Sequence, residues 1–512
     1  MLKSKSCFLL LAIFILGVVL RVLFFPGNIY FGFDQARDAY ESQNIYENFD
    51  LKLIGPSTAL ENLFHGPLYW YLIGPLYLMG NGNPEFPALF LLILNAVGVF
   101  IIYCIGAVLA NKLVGFLAAF LYAVSFEQTQ YALYFGNPGP AVICILLFYL
   151  GILLFGIRKK WWGIPLSMFA WGMSIQFEFF LVYLGVIFLA LVFVFRRRLP
   201  VVLRPSRIFV SVLSFLVPLS TFILAEIKYG WRTVLTLAHL ISSSGGSRDL
   251  GKIITVYFSN LTLHIRHNLF SFNENLARVV LIFLVGLGFY FLLRRGKERR
   301  VAVFLLIWFF SSSVILIFGN PELYYSDIGV SAGVLLLVAY FLVKLFKKSV
   351  LISSVLLGVL VISNFSLIRK QNPQGIINGI YVQEGMLLSR EKEMIDYIYR
   401  EARGRPIVVS GSTMPLKINT TWAYLFNWYG KGEYGYLPYW TGEVALGYPG
   451  SLPSWKSQET EYVMFSIIEP TRGVRGAFIE NFLVEQEQYG VVREERIFGV
   501  NPQAQFVVQR RQ

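Results

Sequence analysis

The residues with the clearest chemical potential form a short acidic segment that follows the first hydrophobic run of the chain. The segment reads FDQARDAYE from residue 33. Asp34 and Arg37 lie three residues apart, so a short helix would place them on one face. A carboxylate at this position can act as a general base, and an arginine can hold a phosphate group. The alternative interpretation is an ordinary solvated loop.

The composition indicates that this segment lies beside a membrane. Of the 512 residues, 56% are hydrophobic and only 14% are charged, whereas soluble domains carry about 25% charged residues. Repeated apolar runs of about 18 to 25 residues are long enough to cross the ~30 Å hydrocarbon core of a bilayer. The net charge is +14, but the basic residues cluster between apolar runs, as orientation signals do. Nucleic acid is therefore not an expected partner.

The basic clusters predict the topology, because loops rich in lysine and arginine remain in the cytoplasm. Two apolar crossings fit between consecutive clusters if every cluster is cytoplasmic. We therefore predict a mainly α-helical, polytopic membrane bundle of about eleven transmembrane helices, with a cytoplasmic N-terminus and an extracytoplasmic C-terminus. The predicted spans are 7–25, 86–110, 113–130, 139–157, 162–177, 179–195, 208–227, 276–293, 301–318, 327–343 and 350–367.

This topology divides the chain into a membrane domain and a smaller C-terminal domain. Residues 1–369 form the predicted membrane domain, and residues 370–512 form a predicted extracytoplasmic α/β domain. In the second part, helices are predicted at 389–403 and 477–488, and strands at 406–410, 462–468, 491–498 and 505–509. The predicted outer connections of the membrane domain are 26–85, 126–138, 228–275 and 319–327. An aromatic segment at 65–80, broken by prolines, is predicted to lie in the membrane interface.

The outer connections contain the remaining candidate residues. His65 is a candidate phosphate ligand, or else a capping or surface histidine. Glu127, with Tyr131 and Asn137 nearby, stands at the outer end of a predicted span, where an acid can be functional or simply solvated. Asn137 can also be a helix cap.

The third and fourth connections are less specific. Tyr324 and Glu322 lie in a short polar loop, although tyrosines there are often interface anchors. Arg248 is the single cation of a flexible serine and glycine tract. His264 and His267 lie three residues apart, which is weak support for a metal site without a third ligand.

The membrane half of the chain, residues 1–370, resembles the GT-C membrane glycosyltransferases, and in particular the protein O-mannosyltransferase and aminoarabinose transferase groups. The matching residues are Asp34-Gln35, which correspond to an Asp-Glu pair, and His65-Gly66-Pro67 with the aromatic residues that follow. Gln35 departs from the usual glutamate. Asn137 departs from a second-loop aspartate that many members carry.

The resemblance implies inverting transfer of a sugar from a polyprenyl-phosphate donor to an acceptor hydroxyl on the extracytoplasmic face. Asp34 falls on the catalytic aspartate of the family, with Glu127 as its stand-in, and Arg37, His65 and Tyr324 fall on positions that bind the lipid phosphate. The further substrate-binding candidates are Gln35, Asp38, Tyr131, Asn137, Glu322 and Arg248.

The resemblance also implies the partners of a multi-pass protein of the cell membrane. These are the lipid bilayer, the polyprenyl-phosphate-linked sugar as donor substrate, and a glycan, lipid or protein acceptor. No other cofactor is expected, and no residue pattern supports a divalent metal, although some relatives use one. The alternative function is a non-catalytic or transporter-like protein that handles lipids or glycans of the cell envelope.

Overall fold

The computed structural model describes residues 4–58, 60, 62–243, 249–270, 273–318, 327–377, 383–456, 461–499, 501 and 504–511. Its contacts divide the chain into two compact units. The membrane unit draws on residues 1–23, 52–69 and 90–370, and the C-terminal unit draws on residues 24–51, 70–89 and 371–512. The second boundary coincides with the change in composition near residue 370.

Helices make up most of the chain before residue 371. In chain order they are α1 (Ser4–Val22), α2 (Phe33–Glu47), α3 (Leu68–Met79), α4 (Glu85–Leu109), α5 (Lys112–Val124), α6 (Phe126–Leu133), α7 (Pro138–Gly156), α8 (Gly163–Phe177), α9 (Leu184–Val194), α10 (Pro205–Leu216), α11 (Ser220–Tyr229), α12 (Arg232–Ser243), α13 (Leu250–Asn268), α14 (Glu274–Leu293), α15 (Lys297–Phe309), α16 (Val330–Phe346) and α17 (Val350–Gln371). Short 3-10 helices occur at Phe179–Tyr183, Arg196–Val201 and Ser311–Phe318.

The apolar helices make the chain an integral membrane protein. Among the described residues, the helices long and apolar enough to cross a bilayer are Lys5–Val22, Glu85–Leu109, Pro138–Gly156, Glu274–Leu293 and Val350–Gln374. Helices α10 and α11 qualify only as a pair, and they bend by 67° where they meet. The total of about eleven spans and the orientation of the chain stay predictions.

Several predicted spans are interrupted rather than continuous. The span predicted at 208–227 breaks at residues 217–219, where Pro218 lacks the N–H that a continuous helix requires. The span predicted at 113–130 breaks at Ser125, whose hydroxyl accepts a hydrogen bond from the Gln128 N–H at 3.1 Å and so begins α6. This second break matters for function because Glu127 lies in the first turn of α6.

The C-terminal unit contains a mixed five-stranded sheet with the strand order β2-β1-β3-β5-β4. Its strands are β1 (Ile407–Ser412), β2 (Tyr439–Trp440), β3 (Val463–Ile468), β4 (Val492–Phe498) and β5 (Phe506–Arg511), and its helices include α18 (Leu388–Ala402), α19 (Thr420–Leu425), α20 (Lys431–Tyr434) and α21 (Gly476–Glu487). Strand β1 pairs in parallel with β2 and β3, whereas β5 pairs antiparallel with β3 and β4. The helices and strands predicted here therefore form. Among the described residues, β2, the 3-10 helix Asn372–Gln374 and the helical stretch around α19 and α20 were not predicted.

Two pieces of the predicted first outer loop pack with the C-terminal unit. The backbone N–H of Phe31 donates to Met386 O at 3.0 Å, and that of Leu388 donates to Ile29 O at 2.9 Å. These bonds join residues 29–31 to residues 386–388, and the Tyr424 hydroxyl donates to Gly82 O at 2.6 Å. Residues 24–51 and 70–89 accordingly belong to the C-terminal unit, although their position in the sequence assigned them to the membrane domain. Helix α2, which carries Asp34, is consequently held by backbone partners far along the chain.

Candidate functional site

Helix α2 begins where the candidate acidic segment begins. Gly32 is its N-cap residue, and the Gln35 side-chain oxygen accepts a hydrogen bond from the Gly32 N–H at 3.1 Å. This contact satisfies one of the backbone donors at the helix start. Asp34 lies in the first turn, where the helix dipole favours a negative charge. Gln35, a candidate for substrate binding, is thus buried and forms part of the cap.

Arg37 lies between two carboxylates on α2. Its Nη1 atom is 2.6 Å from Asp34 Oδ1, so the two residues share one face of a helix, as their spacing predicts. Its Nε and Nη2 atoms donate to Asp38 Oδ1 at 3.0 and 2.8 Å. Asp38 Oδ1 also accepts a hydrogen bond from Trp70 Nε1 at 2.7 Å. We refer to Asp34, Arg37, Asp38 and Trp70 as the α2 cluster.

The two carboxylates of the α2 cluster differ in their access to solvent. The Asp34 side chain is 58% exposed, whereas the Asp38 side chain is 3% exposed. Burial raises the pKa of the Asp38 carboxyl group, an effect that the neighbouring Arg37 charge opposes. For Arg37, burial acts against the charged form, but Asp38 and Asp34 outweigh it and raise the pKa of the guanidinium. Arg37 therefore stays charged, and Asp34 is the partner that a bound anion can replace.

A second acidic cluster is buried inside the membrane unit. Glu127 Oε1 lies 2.5 Å from His264 Nδ1, and Asp327 Oδ2 lies 3.8 Å from His264 Nε2. All three side chains are at most 4% exposed. The second oxygen of Glu127 accepts a hydrogen bond from Asn268 Nδ2. Glu127 is therefore not the solvated acid of the alternative interpretation. We refer to Glu127, His264 and Asp327, with Asn268, as the buried cluster.

Amide and hydroxyl side chains extend the buried cluster to neighbouring helices. Ser125 donates to Asn268 Oδ1 at 2.6 Å. Asn364 donates to Asn268 O at 2.7 Å and accepts from the Phe126 N–H at 2.8 Å. This network joins α6, α13 and α17. Sequence reasoning missed Asn268, Asn364 and Asp327, although an asparagine such as Asn364 inside an apolar span is a recognisable signal.

The charge balance of the buried cluster favours an imidazolium. Burial acts against the charge on His264, but the adjacent Glu127 and Asp327 carboxylates outweigh it and raise the pKa of this histidine. Burial lowers the pKa of His267 to about 4, so this second histidine is neutral. Each nitrogen of His264 faces a different carboxylate, so the three groups do not converge on one point. In the described part of the chain, no group of three or more His, Cys, Asp or Glu residues is arranged to hold a metal ion.

His65 lies at the wall of a third site in the membrane unit. Its Nδ1 atom accepts a hydrogen bond from the Phe179 N–H at 3.2 Å, so a proton on the neutral ring is carried by Nε2. His65 and Arg232 both line a cavity of 230 Å³. Arg232 donates to Asn62 Oδ1, and its guanidinium lies 5.9 Å from the centroid of the Phe64 ring. Arg232 is a cation of this cavity that sequence reasoning did not identify.

The other candidates are in less accessible places or outside the described residues. Tyr131 and Asn137 are buried. Asn137 is the N-cap residue of α7, but its side chain makes no capping hydrogen bond. Glu322, Tyr324 and Arg248 lie outside the residues that the structure describes, so their predicted roles stay predictions.

Comparison with known protein families gives a match over residues 64–224. The matching family is described as dolichyl-phosphate-mannose-protein mannosyltransferase. The matched region includes His65, Glu127, Tyr131 and Asn137. The predicted resemblance to the GT-C superfamily of membrane glycosyltransferases is confirmed by this match. Comparison with the sequences of curated proteins finds no match.

Comparison with solved structures finds weak structural likenesses. ArnT from Cupriavidus metallidurans bound to undecaprenyl phosphate aligns at 10% identity and a TM-score of 0.48, covering 99% of this chain and 98% of ArnT. The archaeal oligosaccharyltransferase AglB from Archaeoglobus fulgidus aligns at 14% identity and a TM-score of 0.48, covering 83% and 63% of the two chains. Arabinofuranosyltransferase AftD from Mycobacteria aligns at 14% identity and a TM-score of 0.44, covering 80% and 29%. At these values the likenesses carry no conclusion about function.

Proposed function

We propose that the chain is a membrane glycosyltransferase that moves a sugar from a polyprenyl-phosphate donor to an acceptor hydroxyl. The observation that carries this proposal is the α2 cluster, in which an exposed carboxylate lies beside a permanently charged guanidinium. The carboxylate can accept a proton from the acceptor hydroxyl, and the guanidinium can stabilise the phosphate that leaves from the donor. The family match over residues 64–224 supports the same class of reaction.

In the proposed mechanism, the donor phosphate competes with Asp34 for Arg37. Asp34 is the exposed partner, so its 2.6 Å ion pair is the one that an anion displaces. Asp38 is buried and keeps its two hydrogen bonds to Arg37. Donor binding thereby frees the Asp34 carboxylate beside the sugar. Asp38 acts as a positioning residue and does not contact the substrate.

The chemical step then follows from these positions. Asp34 accepts the proton of the acceptor hydroxyl while the hydroxyl oxygen attacks the anomeric carbon from the face opposite the phosphate. The bond between the anomeric carbon and the phosphate oxygen breaks, and the lipid phosphate leaves with its electron pair. Arg37 stabilises the growing negative charge on that phosphate. We retain the prediction that His65 and Tyr324 bind the lipid phosphate.

Glu127 is better explained as a positioning residue than as a stand-in base. It would have to leave both His264 and Asn268 in order to accept a proton from a substrate. A carboxylate that is 1% exposed and bonded through both oxygens offers no acceptor site to a bound hydroxyl. We therefore assign the base to Asp34 alone and give Glu127 the role of holding α6 against α13.

The buried cluster also favours a second candidate function. Ionisable groups buried in a membrane bundle are typical of proton-coupled transporters, and Glu127, His264 and Asp327 form such a group. In a transporter the α2 cluster would have no chemical role. Substitution of Asp34 would then leave function unchanged, whereas substitution of His264 would abolish it.

The test is sugar transfer by the full chain in nanodiscs, with a panel of radiolabelled polyprenyl-phosphate sugars and a cell-envelope glycolipid extract as acceptor. We expect release of the lipid phosphate and label in the acceptor for one donor, and loss of both in Asp34→Asn. Glu274→Gln, which alters an exposed ion pair with Arg278 on α14, serves as the control. Transfer by Asp34→Asn at the rate of the unmodified chain would overturn the proposal.

A further inference from the structure

A second cavity lies entirely within the C-terminal unit. Its volume is 460 Å³, which is sufficient for a sugar ring, and α2, residues 81–82 and residues 424–449 contribute to its lining. The α2 residues that line it belong to the second half of the helix, beyond Asp34 and Arg37. The cavity is therefore separate from the α2 cluster along the helix but is carried by the same element.

Aromatic rings form one wall of this cavity. Tyr40 and Tyr424 meet edge to face with ring centroids 5.0 Å apart, and Trp428 stacks with Tyr424 at a centroid distance of 6.4 Å and an interplanar angle of 28°. The Tyr424 hydroxyl donates to Gly82 O at 2.6 Å and accepts from Gln43 at 3.1 Å. Both contacts hold the ring in place. Trp428 is half-buried, so it offers the cavity a fixed aromatic surface.

Gly82 shows how closely the opposite wall approaches these rings. Its φ angle is +81°, and a Cβ atom there would lie 3.0 Å from Trp428 Cδ1. A side chain at this position would be strained and would crowd the tryptophan. The close approach fixes the width of the cavity beside Trp428.

The polar groups of the cavity are carboxylates and amides. Glu41 and Glu47 line it together with the amide side chains of Gln43, Asn44, Asn48, Asn81 and Asn427. None of the twelve described lining residues is basic. Lys392, whose ammonium lies 5.8 Å from the Trp428 ring centroid, is 3.9 Å from the Glu85 carboxylate and does not line the cavity.

These features select a class of ligand. Amides donate and accept hydrogen bonds with sugar hydroxyls, and carboxylates accept them. An aromatic face covers the apolar C–H surface of a sugar ring. The carboxylates of Glu41 and Glu47 repel a phosphate, a sulfate or a uronic acid. A neutral sugar is not repelled by this negative charge, and the protonated amine of an amino sugar is attracted to it.

We propose that this cavity is a saccharide-binding site for sugar rings that carry no negative charge. Its assignment to the acceptor rests on the proposed function, because the donor sugar carries a phosphate that the cavity repels. The acceptor is accordingly a glycan or glycolipid whose neutral or cationic sugar binds here, and the acceptor hydroxyl lies on an adjoining sugar.

Binding is measured without any donor, by saturation-transfer-difference NMR on the full chain in nanodiscs. The probes are mannotriose, a glucosamine trisaccharide and a galacturonic acid trisaccharide. We expect the glucosamine trisaccharide to bind most tightly, mannotriose to bind more weakly, and the anionic trisaccharide not to bind. Strongest binding of the anionic probe, or binding of none of the three at millimolar concentration, would overturn the proposal.

Variants locate the binding in the cavity. We expect Trp428→Ala to weaken binding of mannotriose about tenfold or more, and Trp428→Phe, which keeps a ring, to stay within about threefold of the unmodified chain. Trp455→Ala removes a tryptophan of the same unit that does not line the cavity and should leave binding unchanged. Equal effects of Trp428→Ala and Trp455→Ala would place the saccharide elsewhere.

A further variant tests whether the charge of the cavity selects the sugar. Glu47→Gln should reduce the preference for glucosamine over mannose trisaccharide while retaining mannotriose binding, and an unchanged preference would contradict the proposed charge selection.

If transfer is absent but saccharide binding depends on Trp428, the proposed function fails and the binding site stands. If transfer occurs but saccharide binding does not depend on Trp428, the binding site fails and the proposed function stands.

Discussion

The α2 cluster and the buried cluster share one arrangement of charges but differ in their exposure to solvent. Each places two carboxylates around one cationic side chain: Asp34 and Asp38 around Arg37, and Glu127 and Asp327 around His264. In the α2 cluster one carboxylate is 58% exposed, whereas in the buried cluster no side chain exceeds 4%. We therefore expect the α2 cluster to take part in the reaction and the buried cluster only to stabilise the fold.

The physical reason is the cost of exchanging partners. An exposed ion pair contributes only about 0–1 kcal/mol, so a substrate can replace one of its members at little cost. Removing one partner of a buried pair leaves an uncompensated charge and costs about 3–5 kcal/mol. The comparison predicts that substitution of the exposed Asp34 changes the reaction, whereas substitutions of buried charged groups, Asp38 and the members of the buried cluster, change stability.

The largest expected effect is that of Asp34→Asn on the transfer rate. Loss of a positioned general base should lower kcat by about two to four orders of magnitude, because the proton moves only in the chemical step. The KM for the donor should fall slightly, because the donor phosphate no longer has to displace the Asp34 carboxylate from Arg37, and the apparent melting temperature should stay that of the unmodified chain. The measurement is steady-state transfer in nanodiscs combined with thermal unfolding. A large loss of stability in Asp34→Asn would contradict the distinction between the two clusters.

The next largest effect is that of His264→Ala on folding. Two buried carboxylates then lose their cation, and the unfolding free energy should fall by about 3–5 kcal/mol. His239→Ala, which removes an exposed histidine of α12, should stay within about 0.5 kcal/mol and serves as the control. Thermal unfolding followed by tryptophan fluorescence measures both. A stable His264→Ala protein that loses only transfer would instead make His264 part of the chemistry.

A smaller effect is expected for Arg37→Lys, which keeps the charge but replaces the forked guanidinium by a single ammonium. One ammonium cannot hold both Asp38 and the donor phosphate as the fork does, and loss of one charge-assisted hydrogen bond to the phosphate should cost about 1.5–3 kcal/mol, mainly as a higher KM for the donor. Transfer rates measured against donor concentration separate KM from kcat. A change confined to kcat would mean that Arg37 does not bind the donor in its ground state.

The last prediction concerns the pH dependence of stability, which we attribute to two buried carboxylates of the C-terminal unit. Burial raises the pKa of Glu469 to about 7, and burial together with the charge of Glu469 raises the pKa of Glu391 well above its usual range. Both groups hold protons more tightly in the folded chain than in the unfolded chain. The contribution of these two groups to folding stability is therefore greatest below about pH 4.5 and is lost as the pH rises to the raised folded-state pKa of each group, about 7 for Glu469, by about 1.4 kcal/mol per pH unit for each proton.

Apparent melting temperatures between pH 5 and pH 8 test this pH dependence. Glu391→Gln should flatten the profile, whereas Glu393→Gln, at an exposed position of the same helix, should leave it unchanged. A profile of Glu391→Gln that keeps the full slope would assign the pH dependence to other groups. The buried cluster differs from this pair, because its carboxylates face the cation of His264, whereas the charge of Glu469 acts on the Glu391 carboxylate.

The local parts of this molecule could be predicted from the sequence. The spacing of Asp34 and Arg37 predicts a shared helix face, and the structure has them in contact. The helix that ends before Arg403 and the strands on either side of α21 follow from hydrophobic periodicity and from glycines that stop helices. These features depend on residues within a few positions of one another, so a one-dimensional pattern contains them.

What lies far apart in the sequence was decided by the tertiary structure. Glu127, His264 and Asp327 come from different helices and connections of the membrane unit, and their burial could not be inferred from any one of those segments. The assignment of residues 24–51 to the C-terminal unit depends likewise on the backbone partners of Ile29 and Phe31. A sequence determines which residues are able to carry charge and where a helix begins. Only the packing of distant segments determines whether that charge faces water or another side chain, because the cost of burial depends on the neighbours that folding supplies.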